Sequence, residues 1–263
     1  MMKNSTPEKE SSSTSYAAPA LEKGLDIIEL LSHQEVPITQ KDIANKIGRS
    51  VSEIYRMLNC LIARNYVTQI EDTYIITTKL FELANANPPA QRLLIEARPI
   101  MQNLSMMTDQ SCHLTVYNQG TQVVVAKVDT PTGMGYSVRV GAVIDLLISA
   151  SGRVLVAFQD STTQGIRIQE ALNKKPDHSI IDAKKMIDNI TARGCEEMES
   201  FQIKGLYAIS YPVIDFKGNA VAALTVPYVE RLDLQRKLAI SEIKEALSAA
   251  AHDLSFRIGG AKK

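Results

Sequence analysis

Between Ile38 and Tyr66 the chain reads ITQKDIANKIGRSVSEIYRMLNCLIARNY, two short amphipathic stretches with one break, and this stretch limits the possible folds more than any other. The break is Gly48, where a missing Cβ lets the backbone turn sharply. Thr39 with Asp42, and Ser50 with Glu53, have the Ser/Thr-x-x-acid spacing that caps a helix start, so each stretch begins at a defined residue. Ile54, Met57, Leu58 and Leu61 recur at helical spacing, which buries one face of the second helix and turns Ser52, Arg56 and Asn59 outward. Ala44 is small where the first helix must approach the second. A helix-turn-helix has these parts. A plain helical hairpin inside a larger core is the alternative. Against it, Tyr66–Ile70 and Tyr74–Thr77 alternate like strands around Glu71, Asp72 and Thr73, in the order of a winged helix-turn-helix. That turn lacks the usual glycine.

A chain of 263 residues suits two domains, and 45% apolar with 22% charged residues is ordinary for a globular protein. The formal net charge is zero, which argues against wholesale electrostatic wrapping of nucleic acid. Any such binding needs a local patch, and Ile38–Tyr66 supplies a modest one. There Lys41, Lys46, Arg49, Arg56 and Arg64 face only Asp42 and Glu53. Cys60, Cys112 and Cys195 are odd in number and far apart, which implies buried thiols rather than a disulfide framework or a metal site. No run reaches the roughly 18 apolar residues of a membrane span, and the N-terminus lacks a secretion signal, so a cytoplasmic protein without membrane contact is expected.

Taken in order, residues 1–19 are Ser-, Thr-, Lys- and Glu-rich and read as a disordered tail. Leu21, Leu25, Ile28 and Leu31 form a helix stripe, and the winged unit is expected over 20–86. Asn87-Pro88-Pro89 marks the boundary, since proline removes a donor and restrains its predecessor. A linker and helix follow over 87–108, with Leu93, Leu94, Ala97, Ile100, Met101 and Leu104 on one face. Residues 109–263 then change character. Strands are predicted at His113–Tyr117, Val123–Val128, Tyr136–Val140, Tyr207–Ile214 and Ala220–Val226, and helices at Ser149–Phe158, Asp182–Arg193 and from Ile243 to near Arg257. The class is α+β, an antiparallel sheet covered by helices.

Several segments in the right order resemble the IclR family of bacterial transcriptional regulators: Ala20–Leu31, Ile54–Leu58, Ser137–Gly141, Tyr211–Asp215 and Ala222–Thr225. The resemblance implies an N-terminal winged helix-turn-helix, a linker helix and a C-terminal effector domain of GAF-like fold, assembled as a homodimer or tetramer on double-stranded operator DNA. It implies repression as the mode of action, with activation the open alternative, and no cofactor. By that likeness the DNA-binding positions are Gln40, Lys41, Arg49, Ser50, Val51, Ser52, Tyr55, Arg56 and Asn59. The family usually has arginine where this chain has Val51, and threonine where it has Glu53. Val51 offers only apolar contact, while Glu53 can accept from cytosine but repels phosphate. The family's effector-binding positions fall on Met134, Ala150, Ser151, Gly152, Met198, Leu206, Ala208, Thr225 and Pro227. A helix start at Ala150 has free N–H groups that suit the carboxylate of a small organic acid. Members that bind small oxo-acids have aspartate, cysteine and serine at Met198, Ala208 and Pro227, so this pocket favours a larger apolar or aromatic body.

Two other functional classes are compatible with parts of the sequence. An enzyme could use Cys112 with His113, but neighbours on a strand point to opposite faces. His178 and His252 lack a partner at metal spacing, no HExxH, GxSxG or GxGxxG motif is present, and Cys195-Glu196-Glu197 reads as a solvated edge. A ligand sensor without DNA binding is the other alternative, kept open by Val51 and Glu53.

Overall fold

The computed structural model describes residues 18–180, 182–230, 232 and 238–260. The expected tail lies outside them except for its last two residues, of which Pro19 already opens a helix. Two compact units meet between Asn87 and Pro88.

The first unit runs α1 (Pro19–Ser32), β1 (Ile38–Thr39), α2 (Gln40–Lys46), α3 (Val51–Ala63), β2 (Val67–Ile70), β3 (Thr73–Ile76) and α4 (Lys79–Asn85). Both helix starts of the central motif carry full capping boxes, Thr39 with Asp42 and Ser50 with Glu53. Gly48 has φ +66°, a conformation that a Cβ disfavours, and so divides α2 from α3. Ile27, Leu31, Ile43, Ala44, Ile54, Leu58, Leu61 and Val67 form one core. The α1 stripe differs from expectation, because Leu21 and Leu25 are exposed and only the C-terminal half of α1 packs, through Ile27 and Leu31. The wing is three-stranded in the order β1-β3-β2, with β1 too short to leave an alternating pattern. Its turn manages without glycine: Glu71 takes φ +52°, held by Gln69 Nε2 donating to Glu71 O at 2.7 Å and Thr73 Oγ1 to Ile70 O at 2.8 Å.

The second unit runs α5 (Pro88–Thr108), β4 (Cys112–Asn118), β5 (Thr121–Val128), β6 (Val143–Asp145), α6 (Ala150–Ala157), α7 (Ser161–Lys174), α8 (Ala183–Arg193), β7 (Glu196–Glu199), β8 (Tyr207–Ile214), β9 (Ala220–Tyr228) and α9 (Ile240–Arg257). Its six strands form one antiparallel sheet in the order β6-β5-β4-β9-β8-β7. Strand alternation sends Leu114, Ile209, Val213 and Leu224 to one face, against Met101 and Leu104 of α5 and Leu247 and Leu254 of α9. Ala220 and Ala223 face the other way, against Val154, Leu155, Met186 and Ile190. The helix after the Pro-Pro step is therefore part of this unit's core.

Several expectations for this unit need correction. Tyr136–Val140 is not a strand: it lies in an irregular connection broken by the left-handed glycines Gly133 and Gly141, and the edge position goes to Val143–Asp145. Cys195-Glu196 is not a solvated edge. Both residues are buried, and Glu196 accepts from Arg193 at 3.0 Å and pairs with Arg153 at 3.5 Å, so two guanidinium groups offset its desolvation. Cys60 is exposed, whereas Cys112 and Cys195 are buried. The amphipathic α7 and the strand β7 carried no recognised signal.

Candidate functional site

In the first unit, α3 turns Ile54, Leu58 and Leu61 into the core and leaves Val51, Ser52, Tyr55, Arg56 and Asn59 exposed on its outer side. Lys41 and Arg49 are exposed beside it. Two of the expected contact residues already have structural work: Gln40 Nε2 donates to Val51 O at 3.3 Å, tying the starts of α2 and α3, and Ser50 is the N-cap of α3. Glu53 needs the larger revision. Its carboxylate accepts from the Ser50 amide at 2.9 Å, the Ser50 hydroxyl at 2.8 Å and Lys23 Nζ at 3.1 Å. It is engaged in capping and offset by a lysine, so it is not the free acceptor for cytosine that its position suggests.

The Ser50 amide and hydroxyl, then Lys23, push the Glu53 carboxyl down from its ordinary 4.5 to about 2. A lowered folded-state value makes this cap's contribution fully present above pH 4.5 and lost as pH falls toward 2. The melting-temperature gap between the native protein and Glu53→Ala should follow that course. A gap unchanged between pH 6 and pH 2 would contradict the assignment.

In the second unit, the inner face of the sheet and the start of α6 enclose a cavity of about 210 Å³. Seven of the nine expected effector positions line it: Ala150, Ser151, Met198, Leu206, Ala208, Thr225 and Pro227. Gly152 stands one residue behind the wall, its amide donating to the Ser149 hydroxyl at 3.2 Å. Met134 is outside the cavity, 63% exposed between two glycines, and Tyr136 and Val138 from the same connection line the wall instead. Ile144, Ile148 and Ile203 complete an apolar enclosure, and none of the described lining residues carries a formal charge at neutral pH.

The start of α6 is locally fixed. Asp145 Oδ1 accepts from the amides of Leu147 at 2.9 Å and Ile148 at 3.2 Å, while Ser149 Oγ donates to Asp145 O at 2.6 Å. Gln122 Nε2 donates to Ser149 Oγ at 2.6 Å, and Arg153 Nε to Leu147 O at 2.7 Å. The first amides of a helix have no intrahelical acceptor, so those of Ala150 and Ser151 give this wall a partial positive charge.

Among the cavity residues that sequence reasoning missed, His113 has the most to offer chemically. His113 is 5% exposed and lines the cavity, and its Nδ1 has no hydrogen-bond partner among the described residues. Burial pushes its imidazole down to about 4, leaving it neutral at physiological pH. Its strand neighbour Cys112 packs on the opposite face, with Sγ 3.5 Å from Met101 O. The available signal was the β4 alternation, which places His113 on the same side as Thr225 through their direct pairing.

Residues 20–71 match the family model for the IclR helix-turn-helix domain, and residues 90–256 match that for the bacterial transcriptional regulator IclR C-terminal domain. The chain belongs to the IclR family. It is thus an IclR-type transcriptional regulator, not an enzyme, with a DNA-binding N-terminal unit and an effector-binding C-terminal unit. Over 244 residues it is 26% identical to the HTH-type transcriptional regulator KdgR of Escherichia coli K12, covering 90% of this chain and 91% of KdgR. It is 21% identical to the HTH-type transcriptional repressor AllR of Salmonella paratyphi A, covering 92% and 90%. Its fold matches, with a TM-score of 0.73, an IclR homolog from Microbacterium hydrocarbonoxydans complexed with 4-hydroxybenzoate. That match has 19% identity and covers 91% of this chain and 98% of the other. The α+β class read from the sequence agrees with these IclR relatives. Among the described residues no helix is long and apolar enough to cross a membrane.

Proposed function

We propose that this IclR regulator is a cytoplasmic repressor whose hold on its operator is controlled by a small organic acid bound in the C-terminal cavity. The observation that carries the reading is the cavity itself, an apolar enclosure with one polar end formed by the first amides of α6. Such an end suits a carboxylate, and the apolar wall suits a ring or branched body. A cavity of about 150 Å³ accommodates benzene; about 210 Å³ leaves room for a ring with its carboxylate. The aromatic acid in the Microbacterium homolog and the repressor role in the name of AllR are consistent with this reading.

On the DNA side, Arg56 is the central contact, with Ser52, Tyr55 and Asn59 reading beside it and Lys41 and Arg49 reaching the backbone. Val51, where the family usually has arginine, offers a methyl-bearing surface to thymine, so the operator differs from that of relatives with arginine there. The wing-side helix α4 buries none of its residues and exposes Leu80, Phe81 and Leu83. A second copy would cover that face and bring two reading helices onto one operator. Effector binding then acts by favouring one arrangement of the pair over another.

A gel shift on the DNA flanking the coding region tests the reading. Arg56→Ala should cost about 1–3 kcal/mol, roughly a 5- to 150-fold loss of affinity. Added aromatic acid should release the native complex. Unchanged binding by Arg56→Ala would remove α3 as the reader, and indifference to every acid would remove the proposed effector class.

A further inference from the structure

The cavity has a second polar feature that a simple carboxylate would leave unused. His113 lies on β4, in direct register with Thr225 of β9, on the sheet face that floors the cavity. Three other polar side chains of the wall are already engaged. Thr225 Oγ1 is 2.8 Å from Ser210 Oγ, Ser149 Oγ serves Asp145, Gln122 and Gly152, and Ser200 Oγ accepts from the amides of Gln202 and Ile203. Among the described residues His113 Nδ1 has no such engagement, although the residue is 95% buried. A buried polar atom left without a partner costs about 1–3 kcal/mol, and in a cavity wall a bound molecule can supply the missing bond.

Resting on the organic-acid reading above, we propose that His113 is the specificity residue of this cavity. In this arrangement the carboxylate lies at the amides of Ala150 and Ser151, and a hydroxyl or oxo oxygen elsewhere on the same molecule bonds to the His113 imidazole. The ligand class is therefore a hydroxy- or oxo-substituted acid rather than its unsubstituted parent. A neutral imidazole suits this task because it has one N–H donor and one bare nitrogen acceptor, and a hydroxyl can meet either. No cation or anion stands in the described wall to compete. A site built around a hydroxyl discriminates strongly against the analogue that lacks it, because the protein group then stays buried and unpaired.

Calorimetric titration of the full-length protein tests this with matched probes: benzoate against 3- and 4-hydroxybenzoate, and phenylacetate against 4-hydroxyphenylacetate. At least one hydroxylated acid should bind about tenfold or more tightly than its parent. His113→Phe should remove that preference by weakening the hydroxylated acid while holding the parent within roughly threefold. His113→Gln, which retains a donor and an acceptor, should restore part of the preference and guards against a folding defect in the phenylalanine variant. Equal affinity for parent and hydroxylated acids, or equal losses for both in His113→Phe with a native melting temperature, would overturn the role of His113 and leave the acid-effector reading standing. If the native protein binds none of these acids, both fall.

Discussion

Gly152→Ala is expected to lower the melting temperature of the second unit and abolish its response to ligand. A Cβ at this position would sit 2.1 Å from Leu146 O and 2.6 Å from Leu146 C and Cα, all backbone atoms. The connection that would have to yield is tied down by the Asp145 carboxylate, the Ser149 hydroxyl and the Gln122 amide. Overpacking typically costs about 1–3 kcal/mol, and a collision with fixed backbone belongs at the top of that range. For a unit of this size about 3 kcal/mol corresponds to roughly 6–12 °C. Relief comes only by moving α6 away from Leu146, which displaces the Ala150 and Ser151 amides from the cavity. Calorimetry of the variant with and without an acid that stabilises the native protein measures both effects. A native melting temperature with an undiminished ligand shift would refute the packing argument.

Leu58→Ala should be equally damaging in the first unit. Leu58 is fully buried among Ile27, Leu31, Ile43 and Ile54, the side chains that hold α3 to α1 and α2. Removing a buried leucine costs about 2–5 kcal/mol, while a core of this size rarely supplies more than about 3–5 kcal/mol. The unit should be largely unfolded at 37 °C. Hydrogen exchange of the amides from Ile54 to Leu61 would report it as loss of protection, with operator binding lost in parallel. Retained protection would show that the helices collapse around the vacated volume.

The first unit was the more legible because its signals are local. Two Ser/Thr-x-x-acid caps, one glycine at positive φ and a four-residue stripe each act within a single helix turn, and all three are found where the residues place them. The misread stripe of α1 shows the limit. Spacing identifies a face, but only tertiary contact decides that Ile27 rather than Leu25 is inside. In the second unit, Tyr136–Val140 has the composition of a strand and yet no neighbour accepts it, since the edge beside β5 is taken by β6. Glu196 looked solvated because its guanidinium partners are Arg193, three residues before it, and Arg153, forty-three residues away on α6. The cavity was legible in part: seven expected positions came together because three strands, β7, β8 and β9, the residue before β8 and a helix start carry them, whereas Met134 missed because a glycine-flanked turn can point either way. His113 draws attention in the sequence through its neighbour Cys112, whereas its place in the wall follows from its pairing with Thr225 across the sheet.

An enclosure walled by hydrocarbon, helix amides and neutral polar side chains, with no carboxylate among its described residues, also determines what stays out. An ammonium group would shed its hydration there and meet no anion in return. Free amino acids and other zwitterions, abundant in any growing cell, are therefore poor occupants even when their size is right. A cavity so walled favours an effector that carries no ammonium group.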